Sequence, residues 1–193
     1  MMPDISFDPV TTALVAIDLQ HGIVNLETVP YGSADVVAHT AQIAKALRAA
    51  GGTIIFVRVT NSDDGADALA PTTDIVPPAP APKPSYWAEL VPKLGIKDSD
   101  IIVTKRQWGA FYGTDLELQL RRRGIRTIIL TGIATNIGVE STARDAFERG
   151  FDQIFVEDAT AALNADAHKG SFALFGRMGR VRSTEQVLDA LAG

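Results

Sequence analysis

Six short apolar blocks divide the chain, and between them apolar residues recur at helical spacing. Residues 11–19 (Thr-Thr-Ala-Leu-Val-Ala-Ile-Asp-Leu) are almost continuously apolar until Asp18 interrupts the end of the run, as expected of a parallel strand covered on both faces. Residues 53–59, 101–104, 126–131 and 154–156 repeat the pattern, and residues 180–182 make a short sixth strand. Residues 33–50 place Val36, Val37, Ile43, Ala44 and Leu47 on one helical face and stop at Gly51-Gly52, a helix with a glycine end. Thr114-Asp115-Leu116-Glu117 reads as a capping box opening a helix to Gly124, and Ser183-Thr184-Glu185-Gln186 as another before Val187, Leu188 and Leu191. Glu140, Arg144 and Glu148 follow at the spacing of ion pairs along a helix that ends at Gly150, and residues 165–175 form one more. Strands alternating with helices predict an α/β fold: three αβα layers around a doubly wound, six-stranded, mainly parallel sheet.

Two stretches stand apart from this alternation. Residues 127–146 change from a β-branched apolar block to a Gly/Thr/Asn turn and then to helix-spaced residues. In a parallel sheet such a turn lies at the carboxyl ends of the strands, where the next helix points free N–H groups into the crevice. Residues 61–92 hold seven of the ten prolines, densest in Pro77-Pro78-Ala79-Pro80-Ala81-Pro82-Lys83-Pro84. That stretch cannot be a helix or central strand. It is expected to run over the surface, covering the crevice or reaching a neighbouring subunit, with Tyr86 and Trp87 as anchors. Too few residues precede it for a separate core, so residues 1–193 read as one domain.

Composition narrows the function classes. A net charge of −5 gives no basis for nonspecific binding to nucleic acid or anionic membranes. Arg121-Arg122-Arg123, the only basic cluster, reads as a solvated helix end. No apolar run approaches the ~20 residues of a membrane span, and residues 1–9 lack the form of a secretory signal. A cytoplasmic location is expected. With no cysteine there is no disulfide, no thiolate metal site and no thiol nucleophile.

Residues just beyond strand ends converge in such a sheet, and Asp18, Lys105 and the turn around Gly138 all occupy such places. A carboxylate closing an apolar strand needs a partner, and Lys105 is the candidate. Patterning alone leaves two readings open: a satisfied ion pair or turn cap, and a reactive pair.

The motifs Asp18-Leu19-Gln20, residues 105–114 (Lys-Arg-Gln-Trp-Gly-Ala-Phe-Tyr-Gly-Thr) and residues 132–146 (Gly-Ile-Ala-Thr-Asn-Ile-Gly-Val-Glu-Ser-Thr-Ala-Arg-Asp-Ala) resemble the isochorismatase-like hydrolase family of the cysteine hydrolase superfamily. The resemblance covers nearly the whole chain and implies a Rossmann-like hydrolase fold, a catalytic trio at Asp18, Lys105 and Gly138, and a cis peptide between Ile133 and Ala134. Cysteine members carry their thiol where Gly138 stands here, and the isochorismatases proper also tend to have glycine there. Candidate substrate-binding positions are Gln20, Ile133, Ala134, Asn136 and Ile137. Trp87, Trp108, Phe111 and Tyr112 are pocket-lining candidates, with packing or interface roles as the alternative. Arg58 and Arg106 could hold a substrate carboxylate or form surface ion pairs, and His21 follows the first motif closely.

The expected chemistry follows from the missing thiol. The expected substrate is a small carboxylated molecule: a vinyl ether such as isochorismate needs no covalent nucleophile, only a proton donor, and the matched position of Asp18 assigns it that role. Lys105 would orient it, although a close ammonium also favours the ionised carboxylate. Hydrolysis of a small amide or another ether through activated water, and noncatalytic binding of a small anion or a protein, stand as alternatives. Metal-dependent relatives use Asp-x-His after the second strand; residues 58–64 hold no histidine, and His21, His39 and His168 show no ligand spacing. No metal or cofactor is expected, and neither a dinucleotide nor a Walker fingerprint occurs. Expected partners are a small-molecule substrate and, by family resemblance, further copies of the chain in a dimer or tetramer.

Overall fold

The six apolar blocks become the six strands of one sheet. In the computed structural model, which describes residues 5–75 and 83–192, these are β1 (Thr12–Ile17), β2 (Thr53–Val59), β3 (Ile101–Lys105), β4 (Thr127–Ile133), β5 (Asp152–Ala161) and β6 (Arg180–Arg182). Their order is β3-β2-β1-β4-β5-β6, and every neighbouring pair runs parallel. The winding reverses between β1 and β4, which opens a crevice beyond their carboxyl ends.

The helices are α1 (His21–Val24), α2 (Ser33–Ala49), α3 (Leu116–Arg122), α4 (Glu140–Glu148), α5 (Ala165–Met178) and α6 (Thr184–Ala192). All six residues of β1 are buried, because its alternate side chains enter two different cores. Leu14 and Ala16 pack with Val36, Ile43 and Leu47 of α2 and Val187 of α6. Ala13, Val15 and Ile17 pack with Leu116 and Leu120 of α3, Ala143 of α4 and Phe175 of α5. A sheet with helices on both faces needs this apolar continuity rather than alternation. No helix among the described residues is long and apolar enough to cross a membrane.

Two local expectations change. Thr114 and Glu117 do not form a reciprocal capping box: Thr114 Oγ1 donates to Ala110 O at 2.6 Å and accepts from Leu116 N at 3.1 Å, while Glu117 pairs with Arg149 at 2.9 Å. The longer-range ion pair and the tight turn before α3 take the two side chains apart. In α6 the box does form, with Ser183 N donating to Gln186 Oε1 at 2.9 Å and Gln186 N to Ser183 Oγ at 3.2 Å. β5 is longer than its apolar core suggests, because its register against β4 jumps from Leu130↔Phe155 to Gly132↔Thr160. The irregularity lets polar Glu157 and Asp158 interrupt the strand, and Asp158 Oδ1 accepts from Thr184 N at 2.7 Å.

The densest proline run lies largely outside the described residues. After it, the chain is tied to the end of β1: Gly22 N donates to Trp87 O at 2.9 Å, His21 N to Glu89 O at 2.9 Å and Val91 N to Leu19 O at 3.1 Å. The indole of Trp87 fills the space a side chain at Gly22 would need, its Nε1 overlapping the position of an added Cβ. Trp87 is the anchor expected of it; Tyr86 stays half exposed, edge-on to His21 at 5.5 Å between ring centres.

Candidate active site

Asp18 leaves β1 with φ of 55°, the only described non-glycine residue with positive φ, a left-handed conformation that aspartate tolerates better than most residues. Its amide stays on the sheet, donating to Val57 O at 2.9 Å, and its side chain turns into the crevice. Lys105 ends β3, two strands away, and reaches across until Nζ lies 2.8 Å from Asp18 Oδ2. The two residues are 6% and 2% exposed. Lys105 Nζ also donates to Trp108 O at 2.5 Å, which leaves the ammonium one further N–H to give. Asp18 Oδ1 is buried with no hydrogen-bond partner. Burial raises the carboxyl pKa to about 6, against the opposing pull of Lys105.

The third element is the turn after β4. Gly132, with φ of 123°, passes so close to β1 that a Cβ would collide with Ile17 O; only glycine allows β4 to close on the end of β1 there. The Ile133–Ala134 peptide is cis, as the resemblance implies. Thr135–Val139 then wind as a π-helical turn into α4, with Val139 N donating to Ala134 O at 3.2 Å; such turns recur at functional sites. Gly138 sits directly behind the ion pair. A Cβ there would lie 3.0 Å from Ile17 Cγ2, 3.1 Å from Asp18 Oδ2 and 3.2 Å from Lys105 Nζ. A side chain here would therefore press on the ion pair, which would have to give by a few tenths of an ångström.

Asp18, Lys105, Ile133, Ala134, Ile137, Gly138 and Trp108 line one cavity of about 320 Å³. The structure thus brings together the three positions of the expected trio and four of the proposed substrate-binding positions. Gln20, Asn136, Trp87, Phe111 and Arg58 lie elsewhere. Gln20 is wholly buried: Nε2 donates to Val59 O at 2.9 Å and Trp87 O at 3.3 Å, and Oε1 accepts from Val59 N at 2.8 Å, so it clamps β1 to β2 and to the segment around Trp87. Asn136 faces solvent on the outer side of the π-turn. Trp87 is held over Gly22, with Lys83 Nζ 4.2 Å above its ring. Phe111 is core, 6.0 Å from the Phe151 ring. Arg58 donates to its cross-strand neighbour Thr104 Oγ1 at 3.1 Å and is held along the sheet.

Most of the remaining lining carries no chemical signature in sequence: Ile23, Leu26, Val59, Ala68, Leu69 and Leu163. Leu26, Leu69 and Leu163 are 43%, 66% and 54% exposed, and nothing in their sequence neighbourhoods marks them as cavity wall. Arg106 and Gln107 also reach the cavity. Arg106 Nε is 2.5 Å from Asp67 Oδ2, and Gln107 Nε2 donates to Gly109 O and Tyr112 O at 3.0 and 2.6 Å. The histidines are dispersed: His21 lies against Tyr86, His39 Nδ1 is 2.7 Å from Asp158 O, and buried His168 meets Thr135 Oγ1 through Nδ1 at 2.9 Å. Among the described residues no three His, Asp or Glu side chains converge in a metal-binding group.

Comparison with known proteins agrees with this fold. The family model for the isochorismatase domain matches residues 12–186. The chain is 50% identical over 193 residues to YwoC of Bacillus subtilis (strain 168), an uncharacterized isochorismatase family protein, covering 98% of both chains. It superposes with a TM-score of 0.92 on the structure of an isochorismatase family protein from Burkholderia thailandensis, at 49% identity and covering 97% of this chain and 98% of that one. The ureidoacrylate amidohydrolase RutB of Methylorubrum extorquens is 30% identical over 213 residues, covering 96% of this chain and 86% of that protein.

Proposed function

The chain belongs to the isochorismatase family, and from that premise we propose that it is a hydrolase that cleaves a small ether or amide without a thiol, with Asp18 handling the proton. The observation that carries this reading is the half-satisfied carboxyl: Oδ2 is held by Lys105 while Oδ1 is unpartnered in a residue that lines the cavity. A pKa of about 6 keeps roughly one carboxyl in ten protonated at pH 7, so the group can give a proton or take one.

For a vinyl ether, protonated Asp18 delivers its proton to the terminal vinyl carbon. Water adds to the resulting oxocarbenium carbon and loses a proton, and the hemiketal collapses to a ketone and an alcohol. Lys105 stabilises the carboxylate left behind. Isochorismate is the named substrate this scheme serves, with pyruvate and a dihydrodiol as products. For an amide, ionised Asp18 takes a proton from the attacking water, and the spare N–H of Lys105 and the turn at the head of α4 face the developing oxyanion. The relative that is an amidohydrolase supports keeping this second bond type.

The test is turnover of a panel of vinyl ethers, isochorismate included, and small amides by the parent and by Asp18→Asn in metal-free buffer. Turnover by the parent alone supports the reading. Equal turnover by the variant removes Asp18 from the reaction, and a folded parent that turns over neither class while binding a ligand makes the protein a binder.

A further inference from the structure

The cations lining the cavity, among the described residues, are Lys105 and Arg106, and both are already engaged. Lys105 is bound to Asp18 inside. Arg106, at the mouth, is bound to Asp67, with side chains 43% and 37% exposed. Asp67 is in turn fixed by its own loop, accepting from Ser62 N at 2.7 Å and Ser62 Oγ at 3.0 Å through Oδ1, which leaves Oδ2 for the guanidinium. Around these two neutral pairs the walls are mainly aliphatic, with Ile23, Leu26, Leu69, Ile133, Ile137 and Leu163, and Asn61, Gln107 and Trp108 also belong to the lining.

We propose that Asp67 makes this site selective for uncharged substrates: by pairing with Arg106 through Nε it offsets the one charge at the mouth that a substrate carboxylate would meet, so the cavity favours a small neutral amide or ether with an apolar body. A carboxylate entering here leaves water for a largely aliphatic wall and two neutralised pairs, with the single spare N–H of Lys105 to meet its charge, and an ion so poorly compensated is disfavoured in such surroundings. A neutral amide has a carbonyl for the spare N–H of Lys105 and an apolar remainder for the walls. The inference refines the substrate class of the hydrolase reading and rests on it for the site, and it sets the two carboxylates of isochorismate against the cavity.

The experiment is calorimetric binding of benzamide and of benzoate, two probes of nearly one shape and different charge, to the parent, Asp67→Asn and Arg106→Gln at pH 8. The parent is expected to prefer benzamide by about tenfold or more. Asp67→Asn, which keeps an acceptor for Ser62 and frees the guanidinium, is expected to narrow that preference about threefold or more, chiefly by strengthening benzoate binding. Arg106→Gln, which uncovers Asp67 instead, is expected to widen it. Benzoate binding the parent as tightly as benzamide overturns the proposal, as does an unchanged ratio in both variants or no binding of either probe at about 10 mM. None of these readouts uses turnover, so the hydrolase reading stands or falls separately on Asp18→Asn.

Discussion

Asp18 and Gln20 stand two residues apart where β1 ends, both polar and both buried, and the chain treats them in opposite ways. Each hydrogen-bonding end of the Gln20 amide has a backbone partner. Asp18 has one oxygen on Lys105, the other on nothing, a left-handed backbone and a raised pKa. A fully matched buried polar group fixes structure, and its removal exposes the partners it satisfied. A group left half matched in a ligand-sized cavity holds capacity in reserve, which is what proton transfer requires.

The strongest way to break this contrast is Asp18→Asn. Turnover is expected to fall by about 100-fold or more, with the fold retained by circular dichroism; an active variant would place the chemistry elsewhere. The pH profile of kcat/KM sharpens the assignment. If Asp18 gives the proton, rate falls tenfold per pH unit above about 6; if it takes one, rate rises to a plateau above the same value. A profile flat through that region excludes both roles.

Gln20→Ala tests the other side. Removing a wholly buried amide strands the N–H and C=O of Val59, and the expected cost is about 2–4 kcal/mol in denaturant unfolding. Turnover per folded molecule should stay within about threefold of the parent, because Gln20 does not line the cavity. A variant that keeps its stability but loses turnover would reverse the roles assigned to the pair.

Gly138→Ala perturbs the site without touching its charges. The new methyl would press on Ile17, Asp18 and Lys105 at 3.0–3.2 Å, so the ion pair must yield by a few tenths of an ångström. An overpacking cost of about 1–2 kcal/mol is expected, and turnover should fall more steeply than for Gln20→Ala. Unchanged turnover would mean that the closeness of Asp18 and Lys105 over the turn is immaterial.

The same two residues show what is legible in sequence. The layers, the strands and the meeting of Asp18, Lys105 and the Gly138 turn at one crevice follow from apolar blocks ending in Asp18 and Lys105 and from the strand-turn-helix pattern around Gly138. These are local patterns, and parallel sheets gather strand ends at one crevice. Gln20 reads as substrate-binding because it neighbours Asp18 in sequence, which suggests a place in the cavity; partner satisfaction decides the matter and depends on Val59 and Trp87, remote in sequence. Phe111 and Arg58 stay ambiguous in sequence for the same reason, since an aromatic or an arginine near a strand end looks alike whether it meets core, sheet or cavity. The leucines of the cavity wall are invisible, because a lone apolar residue in a loop gains meaning only when the loop folds over the site. Asp67 is hidden likewise, its role fixed by Arg106 39 positions away.

His168 gives the contrast its subtlest test, because it too is half matched: Nδ1 meets Thr135 at the start of the π-turn, and Nε2 is buried without a partner. It is 3% exposed, and burial lowers its pKa from 6.5, the opposite direction to Asp18 though the cause is the same. The signs follow from which form burial disfavours. The stability His168 contributes is present above pH 6.5 and is lost as the pH falls through its lowered folded value, since the unfolded chain takes up a proton that the folded one resists. Asp18 does the reverse: its raised pKa favours the folded state below 3.8, and that contribution is lost as the pH rises through about 6. His168→Gln removes one of these opposed titrations while keeping an amide to meet Thr135. Urea unfolding at pH 7.5 and 5.5 is therefore expected to show the parent losing more stability on acidification than the variant, by less than the loss at Gln20. Equal losses would mean that His168 gains access to water or a proton acceptor in the folded state, and that its unmatched nitrogen, unlike the unmatched oxygen of Asp18, signals nothing about the site.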